Sequence, residues 1–181
     1  MLRVSGLPHP QYRNTIFLGG GFLLSLLSAT LFSRFLVFGV WPDVVTLYAL
    51  FLTLYGNGRG RYVPCMALGL MRDMLSAGPI GTYAILYGVM HRLIAPRRKS
   101  LYRDNPFTLA LLAVGVVAAL NLSYHFSMVF IGAGIGWSSA LSRGLLIGIV
   151  SGPLMPLLSW LMKSMFRRFG IERLPCGAYN V

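Results

Sequence analysis

Acidic residues are what this chain has least of: four Asp and Glu in 181 positions, against 16 Lys and Arg. Four carboxylates are too few for a typical ion-coupled or multi-metal site. Charge of either sign is scarce, at 11% of residues, where globular proteins carry about 25%. The two cysteines, Cys65 and Cys176, read as a buried small hydrophobe and a tail thiol rather than a disulfide. Both fall on the cytoplasmic side of the layout derived below, where thiols stay reduced. The three histidines are His9, His91 and His125, and no HExxH, CxxC or GxSxG pattern is present. Nothing here carries the local signature of catalysis or metal binding. No catalytic residue, metal site or cofactor is expected.

What the chain does have is apolar surface, with 56% hydrophobic residues. Apolar runs of roughly 17 to 25 residues recur, the length that crosses a bilayer. A soluble domain of 181 residues has nowhere to put that much apolar surface. The composition therefore predicts an all-α, polytopic bundle of six transmembrane helices over residues 16–162. A tail of residues 1–15 precedes it and a basic tail of residues 163–181 follows it. The spans begin with Ile16–Phe38, read as uncleaved. A second opens at Trp41-Pro42-Asp43 and ends at Tyr55. The third and fourth form a hairpin from Tyr62 to Ala95, and the fifth and sixth are Phe107–Ile131 and Ser139–Met162. The glycine-rich Gly56–Arg61 lacks the Lys-Ser/Thr ending of a phosphate loop and reads as a turn. On this layout 13 of the 16 basic residues lie on one side. The positive-inside rule then predicts a multi-pass membrane protein with both termini cytoplasmic. The net charge of +12 is read first as a record of orientation rather than as a nucleic-acid footprint, with the basic loops facing anionic lipid or a protein filament.

The hairpin Gly69–Gly88 organises the rest. Ser76-Ala77-Gly78-Pro79 interrupts its helix, since Pro lacks an amide donor and clashes with the preceding turn. Arg72 and Asp73 sit beside that break. With Arg34, Asp43 and Arg143 they make five charges at the outer helix ends, either a polar cluster for a partner or headgroup, or separately solvated ends. Intramembrane carboxylates tend to be paired. Asp73 is accordingly expected to pair with Arg72 or Arg143, with a partner contact as the alternative. Small residues repeat every four positions at Gly21, Ser25, Ala29 and Ser33, and again at Gly136, Ala140, Gly144, Gly148 and Gly152. Such stripes let helix backbones approach closely. Pro153 and Pro156 should kink the sixth span. His125, in a helix with Asn121, Ser123 and Ser127, reads as a hydrogen-bonding group between helices.

The stretches PDVVTLYALFLTLYG at 42–56 and GLMRDMLSAGPIGTYAILYGV at 69–89 resemble the MreD family of rod-shape-determining proteins. The positions that carry the resemblance are Pro42, Asp43, Gly69, Leu70, Asp73, Ser76 and Gly81. The glycine-rich Gly56–Arg61 departs from the family's short basic or Pro-containing connection. The resemblance implies a non-enzymatic subunit of the cell-elongation machinery that binds MreC. It further implies work alongside the MreB filament and the glycan synthase RodA with its class B penicillin-binding partner. It also implies a fold similar to the six-helix substrate-binding subunits of energy-coupling-factor transporters. Two other classes stay open. A small-molecule transport subunit needs a polar cavity lined from several spans. An intramembrane enzyme needs Asp73 near a histidine, yet His91 falls at the far end of the hairpin, ~20 Å away at 1.5 Å per residue.

Overall fold

In a computed structural model of the chain, the described residues are 19–21, 23, 40–55, 62–76, 78–97, 105–132 and 136–168. They form helices α1 (Val44–Tyr55), α2 (Tyr62–Leu75), α3 (Thr82–Ile94), α4 (Pro106–Phe130), α5 (Trp137–Ser151) and α6 (Leu154–Arg168). A 3-10 turn, Ala95–Arg97, extends α3.

Two antiparallel hairpins, α2–α3 and α4–α5, provide most of the packing between helices. The second is built on glycine. A Cβ on Gly144 would lie 2.8 Å from Leu122, and one on Gly148 2.7 Å from the Cβ of Ala118. One on Gly152 would overlap Val114. Steps of four along α5 therefore meet steps of four running backwards along α4, with the smallest side chains where the backbones come closest. Helix α1 lies between the hairpins, and all 12 of its residues are buried. It touches α2, α3, α4 and α6. Leu47, Leu50, Phe51 and Leu54 are its fully covered centre. Lys163 of α6 reaches back over the Tyr55 ring at 4.3 Å.

This architecture overturns the six-span bundle, its likeness to transporter subunits, and the multi-pass membrane placement with both termini cytoplasmic. Among the described residues one helix, α4 at 25 residues, is long and apolar enough to cross a membrane. At most a second arises if α5 and α6, bent by 47° at their junction, count as one span. The physical reasons differ by element. Helix α1 is apolar all round because protein surrounds it. Helices α2 and α3 have 14 and 13 residues, each about 20 Å long against a hydrocarbon core of ~30 Å. The run read as a sixth span breaks at Gly152-Pro153, because proline cannot donate into the helix ladder. The division of basic residues between two faces rested on six crossings and falls with them. The run Ile16–Phe38 lies outside the described residues except at 19–21 and 23, as do the loop at 56–61 and the chain beyond Arg168. Helix α6 carries on through residues 163–168, the start of the stretch read as a tail.

Candidate functional site

Asp43 stands immediately before α1 and caps it: its Oδ1 accepts the Thr46 N–H at 3.1 Å, and its carbonyl accepts Leu47 N–H at 3.1 Å. A carboxylate here answers the unpaired amides and positive dipole of a helix start. Pro42 precedes it, buried, with φ already fixed for the turn into the helix. The Asp43 N–H in turn donates to Ser151 Oγ of α5 at 2.8 Å.

Arg72, on α2, completes the centre. Its Nη1 lies 2.5 Å from Asp43 Oδ1 and also donates to Thr46 Oγ1 at 2.6 Å and Tyr87 Oη at 2.8 Å. Its Nη2 donates to Tyr83 Oη at 3.1 Å, and its guanidinium carbon sits 3.8 Å over the Tyr83 ring. Tyr83 then donates to Asn121 Oδ1 at 3.2 Å, and Asn121 Nδ2 donates to Asp43 Oδ2 at 2.9 Å. Asp43, Arg72, Tyr83 and Asn121 thus close a ring of hydrogen bonds. Thr46 Oγ1 gives its proton to Asp43 Oδ2 at 2.7 Å, which leaves it an acceptor for Tyr87 at 2.8 Å. Five helices contribute, α1 through α5, and the Asp43 and Arg72 side chains are 4% and 19% exposed. Burial pushes the Asp43 carboxyl up, but the Arg72 charge and the bonds from Arg72, Asn121 and Thr46 bring it below the ordinary carboxylate range. Burial pushes the Tyr83 and Tyr87 phenols up against the pull of Arg72, so both stay protonated donors.

Asp73 follows Arg72 in sequence but serves a different end. Its Oδ1 accepts Tyr83 N–H at 3.1 Å, and its Oδ2 accepts Gly81 N–H at 3.0 Å and Ala84 N–H at 3.2 Å. A carboxylate at the end of α2 therefore caps the start of α3, satisfying three amides that the helix leaves unpaired. The glycines around it have separate reasons. A Cβ on Gly69, one turn before Asp73, would fall 2.5 Å from the Tyr83 carbonyl oxygen. Gly81 has φ of 100°, a left-handed conformation that costs other residues about 1 kcal/mol or more. Ser76 ends α2 by donating its Oγ and N–H to the Asp73 carbonyl at 3.1 and 3.2 Å.

Of the five charges expected at one surface, the structure brings Asp43 and Arg72 together. Asp73 is 1% exposed, and its described partners are backbone amides rather than Arg72 or Arg143. Arg143 is exposed on α5, and Arg34 lies outside the described residues. Gly21 is buried where a Cβ would overlap Leu68, whereas Ser25, Ala29 and Ser33 lie outside the described residues. Both ring nitrogens of His125 are buried and have no hydrogen-bond partner among the described residues, which differs from the bonding role expected of it. Sequence reasoning missed Thr46, Tyr83, Tyr87 and Ser151 as members of the centre. Asn121, a carboxamide in an otherwise apolar helix, was the one visible signal.

A second buried group lies at the far end of the hairpin. Thr53 Oγ1 is 3.3 Å from His91 Nδ1, and Cys65 Sγ is 3.7 Å from both. Thr53 also donates to the Ala49 carbonyl at 2.9 Å. Among the described residues no group of three or more His, Cys, Asp or Glu is placed to hold a metal ion. The two polar groups tie helices together at opposite ends of α1.

No curated protein and no solved structure matches the chain. The family described as rod shape-determining protein MreD matches residues 13–165, which takes in both polar groups, both hairpins and the whole of α1. With well over half of its length covered, the chain belongs to the MreD family.

Proposed function

We propose that this chain is a non-catalytic subunit of the bacterial cell-elongation complex. It binds MreC and helps couple the MreB filament to peptidoglycan synthesis by RodA and its class B penicillin-binding partner. Family membership supports the setting. The observation that carries the non-catalytic part is the closed ring of Asp43, Arg72, Tyr83 and Asn121. Its carboxylate and guanidinium are spent on each other and on neutral groups: Asn121 and Thr46 donate to the carboxylate, and the Thr46, Tyr83 and Tyr87 hydroxyls accept from the guanidinium, so the centre holds five helices in register. A transport subunit would turn such groups toward an open cavity.

In this reading the buried Pro42, Asp43, Gly69 and Asp73, with the partly buried Arg72 and Gly81, position the helices, and exposed groups meet the partner. The tip of the α2–α3 hairpin presents Met74 at 70% and Ile80 at 73% exposure, and Arg143 is exposed on α5. Co-expression with tagged MreC, followed by recovery in mild detergent, tests the assignment. Wild-type chain should co-purify. Ile80→Asp and Arg143→Glu should lower recovery while leaving the thermal midpoint unchanged. Failure of the wild-type chain to co-purify, or undiminished recovery of both variants, would overturn the proposed contact.

A further inference from the structure

Helices α4 and α5 each turn one stripe, in steps of four, toward the core and the start of α1. On α4 it is Val117, Asn121 and His125: Val117 lies in the core and Asn121 bonds Asp43. On α5 it is Ser151, Ile147 and Arg143: Ser151 accepts the Asp43 N–H and Ile147 packs against the core. The two helices are antiparallel, so both stripes run from the Asp43 centre toward the hairpin tip and end in a basic side chain. Helix α1 begins at Val44, and His125 and Arg143 stand beyond it, over the centre. Arg143 and Arg72 both act on the His125 ring through their charge. The ring meets Tyr124 edge-on at 5.7 Å, but its nitrogens have no hydrogen-bond partner among the described residues. No described carboxylate answers Arg143, because Asp43 is taken by Arg72 and Asp73 by amides at the start of α3. Exposed apolar groups stand beside the pair. A Cβ on Gly78 would overlap Tyr124 and meet Met128 at 2.7 Å, which sets the α2–α3 tip, with Met74 and Ile80, against the same stretch of α4. Trp41, two positions before Asp43, is 55% exposed.

We propose that His125 and Arg143 together receive an aspartate or glutamate side chain that the protein partner presents from an apolar segment. This rests on the partner contact assigned above to Arg143 and Ile80, and adds the chemistry the partner must bring. The carboxylate accepts from the Arg143 guanidinium and from an imidazole N–H, both strengthened by its charge. A half-turn about the Cβ–Cγ bond of His125, a soft torsion, exchanges each ring nitrogen with a carbon and lets an N–H be offered. A ring kept for packing alone would be served as well by Leu or Phe, without two nitrogens that have lost water and gained nothing. The charges and the apolar groups select the occupant together. Inorganic phosphate would answer Arg143 and leave Trp41, Met74 and Ile80 in water. An uncharged apolar helix would cover those three and leave Arg143 and His125 unanswered. A phospholipid would lay its acyl chains along outer helix faces, whereas this pair stands on the inner side of its hairpin.

Fluorescence anisotropy of the full chain in a neutral detergent tests this, with two labelled probes: a Leu/Ala-rich helical peptide carrying one central Glu, and the same peptide with Gln. The Glu peptide should bind roughly tenfold more tightly, the scale of a hydrogen bond to a charged group. His125→Leu and Arg143→Gln should each remove most of that preference without lowering the thermal midpoint, an outcome a merely structural role would not give. The double variant should lose little more than either single one, since both act on one carboxylate. Should a variant fail to fold, the comparison of the two peptides on the wild-type chain still decides. Equal affinity for the two peptides overturns the proposal, as does a preference that survives in both variants. So does displacement of the Glu peptide by inorganic phosphate or by phosphatidylglycerol, which would assign the pair to a phosphate. Co-purification then asks the same of MreC, with each Asp and Glu of its apolar segments changed to Lys in turn. One such change should abolish recovery with the wild-type chain and restore it with Arg143→Glu. A Glu preference with no recovery of MreC would overturn the MreC assignment and uphold this inference. Recovery of MreC with equal peptide affinities would do the reverse.

Discussion

Arg72 reaches past its neighbour Asp73 to Asp43, 29 positions earlier, and binds its carboxylate at 2.5 Å. Asp73, on the next position of the same helix, turns to the amides of α3. Adjacent residues on a helix point about 100° apart, so they do not face each other. A double-mutant cycle should see this directly. Coupling between Asp43 and Arg72 should exceed ~1 kcal/mol, and coupling between Arg72 and Asp73 should stay within about 0.5 kcal/mol. The reverse order would restore the pairing expected from sequence.

Removing one member of the pair strands the other. Arg72→Gln should lower stability by about 3–5 kcal/mol, read as a fall in thermal midpoint in detergent. Arg72→Lys should be milder, since it keeps the charge but loses the fork and the stack on Tyr83. Asp43→Leu/Arg72→Met should recover part of the loss, because a matched apolar pair leaves no buried charge. An Arg72→Gln midpoint equal to wild type would show that the centre contributes nothing to folding.

Acid should act on the same pair. The Asp43 carboxyl titrates below its ordinary value in the folded chain, so the folded state favours its ionised form. That stability is fully present above the unfolded value of about 3.9 and is lost as pH falls through the lower folded value. Thermal midpoints measured from pH 6 downward should therefore drop more steeply for wild type than for Asp43→Asn. Parallel slopes would mean the carboxylate is not held ionised.

Glycine substitutions should divide by position. Gly115, with nothing within 4 Å of an added Cβ, sits in the exposed side of α4, and Gly115→Ala should stabilise by roughly 0.5–1 kcal/mol. Gly69→Ala and Gly148→Ala should destabilise, because a Cβ would fall 2.5 Å from the Tyr83 oxygen and 2.7 Å from the Ala118 Cβ. A uniform response across the three variants would contradict the close approach of α2 to α3 and of α5 to α4.

His125 offers a test of the opposite sign. Both of its ring nitrogens are buried with no partner among the described residues, a condition that costs about 1–3 kcal/mol per group. His125→Leu should leave the thermal midpoint unchanged or raise it. A lowered midpoint would show that the ring has a bonding role after all.

Sequence by itself determined the α2–α3 hairpin and the family. Gly69, Asp73, Ser76, Pro79 and Gly81 act through rules of short range: close approach, capping, helix termination and a left-handed turn. Each leaves its mark on residue type at a fixed spacing. Sequence also located the apolar runs, but it did not decide what covers them. Hydropathy measures how strongly a run avoids water, and lipid and protein satisfy that demand equally well. Helix α1 shows the difference, since all 12 of its residues are covered by the chain's own helices. The Asp43–Arg72 ring was likewise a tertiary outcome. Its four members come from four helix segments, and Ser151, which accepts the Asp43 N–H from a fifth, lies 108 positions away. A tyrosine, a threonine or a serine in a helix carries no local sign of the partner that folding will bring to it.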